Sequence, residues 1–249
     1  MSYRHVAGAF LALGLSFLVL ADGPDEALPA DVFARLVTQD AKYIQATLVK
    51  AKIDKKTARK VKATALMIAQ YAQTNMNNTN AKEMATLRDQ AIAVIKAVED
   101  EKIVDARKLA ATLSAKPKAD PVAKTEKIPL SPHLEFEYVM RQFSAERIGG
   151  FGLEKELEDL VDIKGPVSGE KQQKVVDIAH KIATIGSLAH AYPPEKDEGK
   201  KTKKAWTGLA KQMHEQALAL AETAKMGKEV SIAANALTAS CTRCHDVFR

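Results

Sequence analysis

The chain is expected to be all-α, built as two tandem four-helix up-down bundles. Three observations predict this. Apolar residues make up 46% of the sequence but aromatic ones only 5%, so the apolar share is mostly Ala, Leu, Val and Ile. Those residues recur at three- and four-residue spacing, the period of a helix with one buried face. The 12 Gly and 9 Pro are few and clustered at breaks, unlike a β-sandwich, which needs turn residues every 8–12 positions. A charged fraction of 27% beside that apolar content excludes global disorder.

Residues 1–21 read as a secretory signal peptide. Arg4 and His5 make a short positive start, and Val6 to Leu20 is uncharged and almost wholly apolar. Val19-Leu20-Ala21 then offers a cleavage site before Asp22. An uncleaved membrane anchor is the competing reading, but fifteen residues fall short of the roughly 20 a span needs. The mature protein is therefore expected to be exported, periplasmic or equivalent, and to meet a membrane only if the signal stays on.

Residues 22–115 form the first predicted bundle. Val32, Phe33, Leu36, Val37, Ile44 and Leu48 mark its first helix. Asp54 or Thr57 can cap a second running to about Met76. The polar run Asn75 to Asn80 separates it from a third helix over about 81–98, and a fourth is expected over 102–115. Residues 116–132, with Pro117, Pro121, Pro129 and Pro132 among lysines and no apolar period, read as an extended linker. Residues 133–249 form the second bundle, with helices over about 133–163, 169–191, 200–225 and 229–248. Gly165-Pro166, Pro193-Pro194 and Gly227 lie at its breaks.

The halves match each other in two gap-free registers. Lys60, Val61, Ala65, Ile68 and Ala69 meet Lys174, Val175, Ala179, Ile182 and Ala183. Later, Lys102, Val104, Ala110, Thr112, Ser114 and Asp120 meet Lys228, Val230, Ala236, Thr238, Ser240 and Asp246. An internal duplication is the reading of this match.

The net charge of +6 could suggest nucleic acid, but it is spread as Lys among Asp and Glu with no Arg block. Nucleic-acid binding is not expected. The run Lys200, Lys201, Lys203, Lys204 reads as a solvated helix start, or as a docking patch for an acidic redox partner.

Both cysteines lie in Cys241-Thr242-Arg243-Cys244-His245. Cys-x-x-Cys-His is the attachment signature of c-type haem. Two thiols must add to two vinyl groups on one porphyrin edge, and positions i, i+3 and i+4 of a helix share a face. His245 is then the expected iron ligand. A zinc site needs two further ligands, and no second cysteine pair exists. A dithiol redox centre would sit in a strand-and-helix context that this sequence lacks.

The run from Cys241 to Arg249, Cys-Thr-Arg-Cys-His-Asp-Val-Phe-Arg, resembles the end of cytochrome c′ and its relatives. Arg141-Gln142 followed after five residues by Ile148-Gly149-Gly150 fits the family's first-helix spacing, and Trp206 stands about 35 residues before the haem motif, where relatives carry an aromatic. The resemblance covers about residues 133–249 and implies one covalent haem c. Cys241 and Cys244 hold it, His245 ligates the iron, and Arg141 pairs with a propionate; Arg249 is a further propionate candidate. The first half would be a haem-less copy, since Ala115 to Ala119 stands where the motif would fall.

Relatives place a Met, Leu or aromatic over the iron four residues after that Arg; here the position is Ala145. Phe143 can close the site, and Met140 is the rival ligand, turned from Ala145's face in a continuous helix. His133, His180, His190 and His214 read as surface or core. The expected function is one-electron transfer with periplasmic redox partners, with small-gas binding (NO, CO) at an open distal site as the alternative. Enzymatic activity is not expected, because Glu146 and Arg147 alone offer acid-base groups near Ala145. A homodimer paired through helices is the remaining partner expectation.

Overall fold

The computed structural model describes residues 26–50 and 52–248. Residues 1–21, the expected signal peptide, and Arg249 fall outside that range. Among the described residues the chain is all-helical, with no strand and two isolated β-bridges. No helix among them is long and apolar enough to cross a membrane.

Helix α1 (Ala30–Leu48) follows Pro29 and buries Val32, Leu36, Val37, Ile44 and Leu48. Asp54 caps α2 (Lys55–Thr74): its carboxylate accepts from Thr57 N–H at 2.6 Å. From Ala63 to Ala72 every residue of α2 is buried, so this helix runs through the centre of the molecule. After the polar break come α3 (Ala81–Glu99) and α4 (Ile103–Ala110). The last of these stops earlier than expected. Thr112 turns its hydroxyl back onto Leu109 O at 2.7 Å, and Leu113 N–H bonds Ala110 O, closing a tight turn that buries Leu113.

Residues 111–130 hold no helix, but they are docked along α3. Arg88, with a side chain 1% exposed, donates to Lys124 O and Glu126 O and pairs with Asp89. Lys82 reaches Pro121 O and Ala123 O, and Gln73 bonds both the N–H and the C=O of Ile128. These side chains satisfy a backbone that has no ladder of its own.

The expected helix over 133–163 is not continuous. It is replaced by α5 (Phe136–Met140), two 3-10 turns (Arg141–Phe143 and Glu146–Ile148) and α6 (Leu153–Val161). Ser144 and Ala145 are extended, with ψ 156° and 148°. Gly149 and Gly152 take left-handed φ of 99° and 74°, which Gly adopts without steric cost. The chain folds back on itself through Phe151 N–H to Gln142 O and Gly152 N–H to Ser144 O. A Cβ on Gly150 would lie 1.8 Å from Ser144 O, so the turn closes on a glycine alone.

Helices α7 (Gly169–Ala189), α8 (Lys203–Lys225) and α9 (Ser231–Phe248) complete the chain. Gly186 lets α7 and α8 approach closely: a Cβ there would stand 2.8 Å from His214 N. Neighbours run α1 to α2 to α3 to α4 and back to α1, then α6 to α7 to α8 to α9 and back to α6. The two halves share one core, because α1 and α2 both pack on α7. Polar links cross the same boundary. Arg35 forks onto Asp177, Lys181 pairs with the buried Asp40 at 2.8 Å, and Gln70 bonds Ser187. Breaking such a buried pair costs about 3–5 kcal/mol, because the surviving charge is stranded away from water.

The two matching registers also align element ends. The first carries Lys55, which opens α2, onto Gly169, which opens α7; the second carries Glu99, which closes α3, onto Lys225, which closes α8.

Candidate functional site

The last two turns of α9 present Cys241, Cys244 and His245 toward one cleft of about 450 Å3. That volume lies in the range of small-molecule and cofactor pockets, about 300–1,000 Å3. The facing wall is Phe136, Met140 and Phe143; α8 contributes Trp206, Leu209 and Met213, and α6 contributes Leu157. Phe248 packs edge-on against Trp206, with ring centroids 4.9 Å apart, and Trp206 packs edge-on against Phe136. The indole N–H donates to Ala189 O at 2.6 Å, which fixes the ring at the cleft edge. The mouth carries three carboxylates, Glu137, Glu154 and Glu158.

Both cysteines are free thiols. Burial raises the pKa of each, for Cys241 against a weaker opposing pull from Ser240, so both are protonated at neutral pH. A reactive dithiol needs the opposite, a lowered pKa in electropositive surroundings. Among the described residues, no group of three or more His, Cys, Asp or Glu is arranged to hold a metal ion without help. A porphyrin needs only one protein ligand, because its own nitrogens supply four. Two protonated thiols and an imidazole on one wall of an apolar cleft therefore suit a covalently attached haem.

Other expected site residues fall elsewhere. Ala145 is exposed on the turn between the two 3-10 segments and does not line the cleft. Its assignment over the iron assumed an unbroken helix, and the break at Ser144 removes that register. Met140, one turn after Phe136 on α5, lines the wall. Arg141 faces the other way: it pairs with Glu137 and lines a separate crevice with Lys56, Arg59 and Lys60. Glu146 and Arg147 are exposed, and neither lines the cleft. His180, His190 and His214 are buried in α7, α8 and the turn between them, and His133 sits in a 3-10 turn; none lines the cleft. The lysine run over 200–204 is largely exposed at the start of α8.

Sequence reasoning missed Met213. Its signal was the seven-residue spacing from Trp206, two helical turns along the same face of α8. Comparison with protein-family models, curated proteins and solved structures finds no match.

Proposed function

We propose that the protein is an exported c-type cytochrome that carries one haem and transfers single electrons. The observation that carries this reading is the convergence of Cys241, Cys244 and His245 on one apolar cleft. When bound, the haem would supply a one-electron ferric/ferrous couple whose potential is set by axial ligand, burial and hydrogen bonding. The residues of the chain do the rest. Cys241 and Cys244 would hold the haem covalently, each through one thioether bond. His245 offers the imidazole. Trp206, Phe248, Leu209 and Leu157 exclude water. Met140 and Met213 offer thioethers from the remaining walls, and Glu154 and Glu158 at the mouth favour the more positive, oxidised state.

The cytochrome c′ resemblance of residues 133–249 is part of the same reading. So is the division into two tandem bundles, the first a haem-less copy. The closed rings of helix contacts and the aligned helix ends support the duplication. The first half then serves as a packing partner for the second, through α1 and α2 on α7.

The test is a haem-stained denaturing gel and absorption spectra of protein expressed with its leader in a host that matures c-type cytochromes. A coloured band that survives denaturation, and is lost in the Cys241→Ala and Cys244→Ala pair, is the expected result. A colourless wild-type protein refutes the reading. Titrating the ferrous form with carbon monoxide then separates electron carrier from gas binder: no spectral change means an endogenous ligand holds the sixth position.

A further inference from the structure

A second, chemically different site lies where the first turns of α2 meet the folded-back segment 138–149. A crevice of about 120 Å3 is lined by Lys56, Arg59, Lys60 and Arg141, with Gln142, Gly149 and three apolar or aromatic side chains making up the rest. Four cationic residues line it, and three of them, Lys56, Arg59 and Lys60, make no ion pair with a carboxylate among the described residues. Arg59 rests over the Tyr138 ring, and Lys60 over Phe151 at 3.9 Å, without an ion pair among the described residues. Arg141 is held by Glu137, and Lys56 donates to Arg147 O.

Gln142 is 2% exposed, and its Nε2 finds no acceptor in the protein. An orphaned buried donor costs about 1–3 kcal/mol unless something accepts from it. The lip of the crevice also depends on a special conformation. Gly149 has φ 99°, and a Cβ there would stand 2.8 Å from the Lys56 side chain. The charge balance points the same way. Burial lowers the Lys60 pKa against the attraction of Glu146, and Lys56 and Lys181 lower it further. The carboxylates facing the cluster, Glu137 and Glu146 with Asp54 beside Lys56, are fewer than the cations.

We propose that this crevice binds a compact tetrahedral oxyanion, a phosphate or sulfate group. Guanidinium forks match such oxygens two at a time, and ammonium groups supply further donors. The volume admits the group but is too small for a nucleotide. Binding draws on Arg141, whose partner Glu137 also lines the cysteine cleft, so the two sites meet at one ion pair.

The test is isothermal titration of the purified full-length protein with inorganic phosphate, sulfate and glycerol 3-phosphate, at constant ionic strength set with chloride. Saturable one-to-one binding is expected. It should weaken at least tenfold in Arg59→Gln and in Arg141→Gln, whose side chains are part-exposed and whose helical circular dichroism should match the wild type. Glycerol 3-phosphate binding as well as phosphate assigns the site to phosphomonoesters, and weaker binding assigns it to the free ion. Heats no larger than those of chloride, or affinity unchanged in both variants, overturn the proposal. The result does not depend on haem.

Discussion

Acidification from pH 7 to pH 5 should loosen the packing of α7 against α2 and α8 through His180. This side chain is 3% exposed, and neither ring nitrogen has a partner in the protein. It borders a cavity of about 10 Å3 shared with Tyr71, Thr184 and His214. Burial, reinforced by the charge of Lys225, lowers its pKa from 6.5 to about 4, while Glu222, Asp177 and Asp31 pull weakly the other way. The unfolded chain therefore binds a proton between pH 6.5 and 4 that the folded chain refuses, and stability falls as pH drops through that window. At about 1.4 kcal/mol per pKa unit, the loss is about 2 kcal/mol at pH 5 and about 3 kcal/mol once pH is below 4. His190, whose pKa burial also lowers, adds in the same direction. Urea denaturation of the wild type and of His180→Leu at pH 7 and pH 5 measures the difference. The wild type should lose about 2 kcal/mol more than the variant over that interval. Equal losses would refute the assignment of the pH dependence to His180.

Further outcomes follow from other contacts. Gly150→Ala should collapse the turn over 141–152, because its Cβ meets the Ser144 and Arg141 carbonyls; a thermal-melt loss of about 2–4 kcal/mol is expected. Asp40→Asn strands the Lys181 ammonium, whose side chain is 13% exposed, and should cost about 3 kcal/mol in chemical denaturation. Arg88→Met leaves Lys124 O and Glu126 O without their donor and should open residues 111–130 to limited proteolysis while helix content is kept. In the haem-loaded protein, replacing Met140 and Met213 together by Leu should raise carbon monoxide affinity of the ferrous form at least tenfold. An unchanged affinity would show that neither thioether guards the iron.

Local chemistry was legible from residue order. Apolar spacing located α1 to α3 and α7 to α9, because a helix buries the same residues wherever it packs. The Asp54 cap and the shared face of Cys241, Cys244 and His245 depend on neighbours within four positions, so they too needed no distant contact. What resisted reading was long-range. The stretch 133–163 has helical composition, yet the chain turns back where Gly150 slips under the Ser144 carbonyl, and that closure leaves Ala145 in solvent while Met140 lines the cleft. Residues 116–132 look like a free linker until Arg88, 36 and 38 positions upstream of Lys124 and Glu126, captures their carbonyls. The cleft itself is made by α9, α8, α6 and a segment about 100 residues earlier in the chain, so its walls, unlike its cysteines, exist only once those elements have packed. Periodicity and spacing are properties of one helix, whereas a cavity and the partner of a buried charge belong to the helices that meet around it.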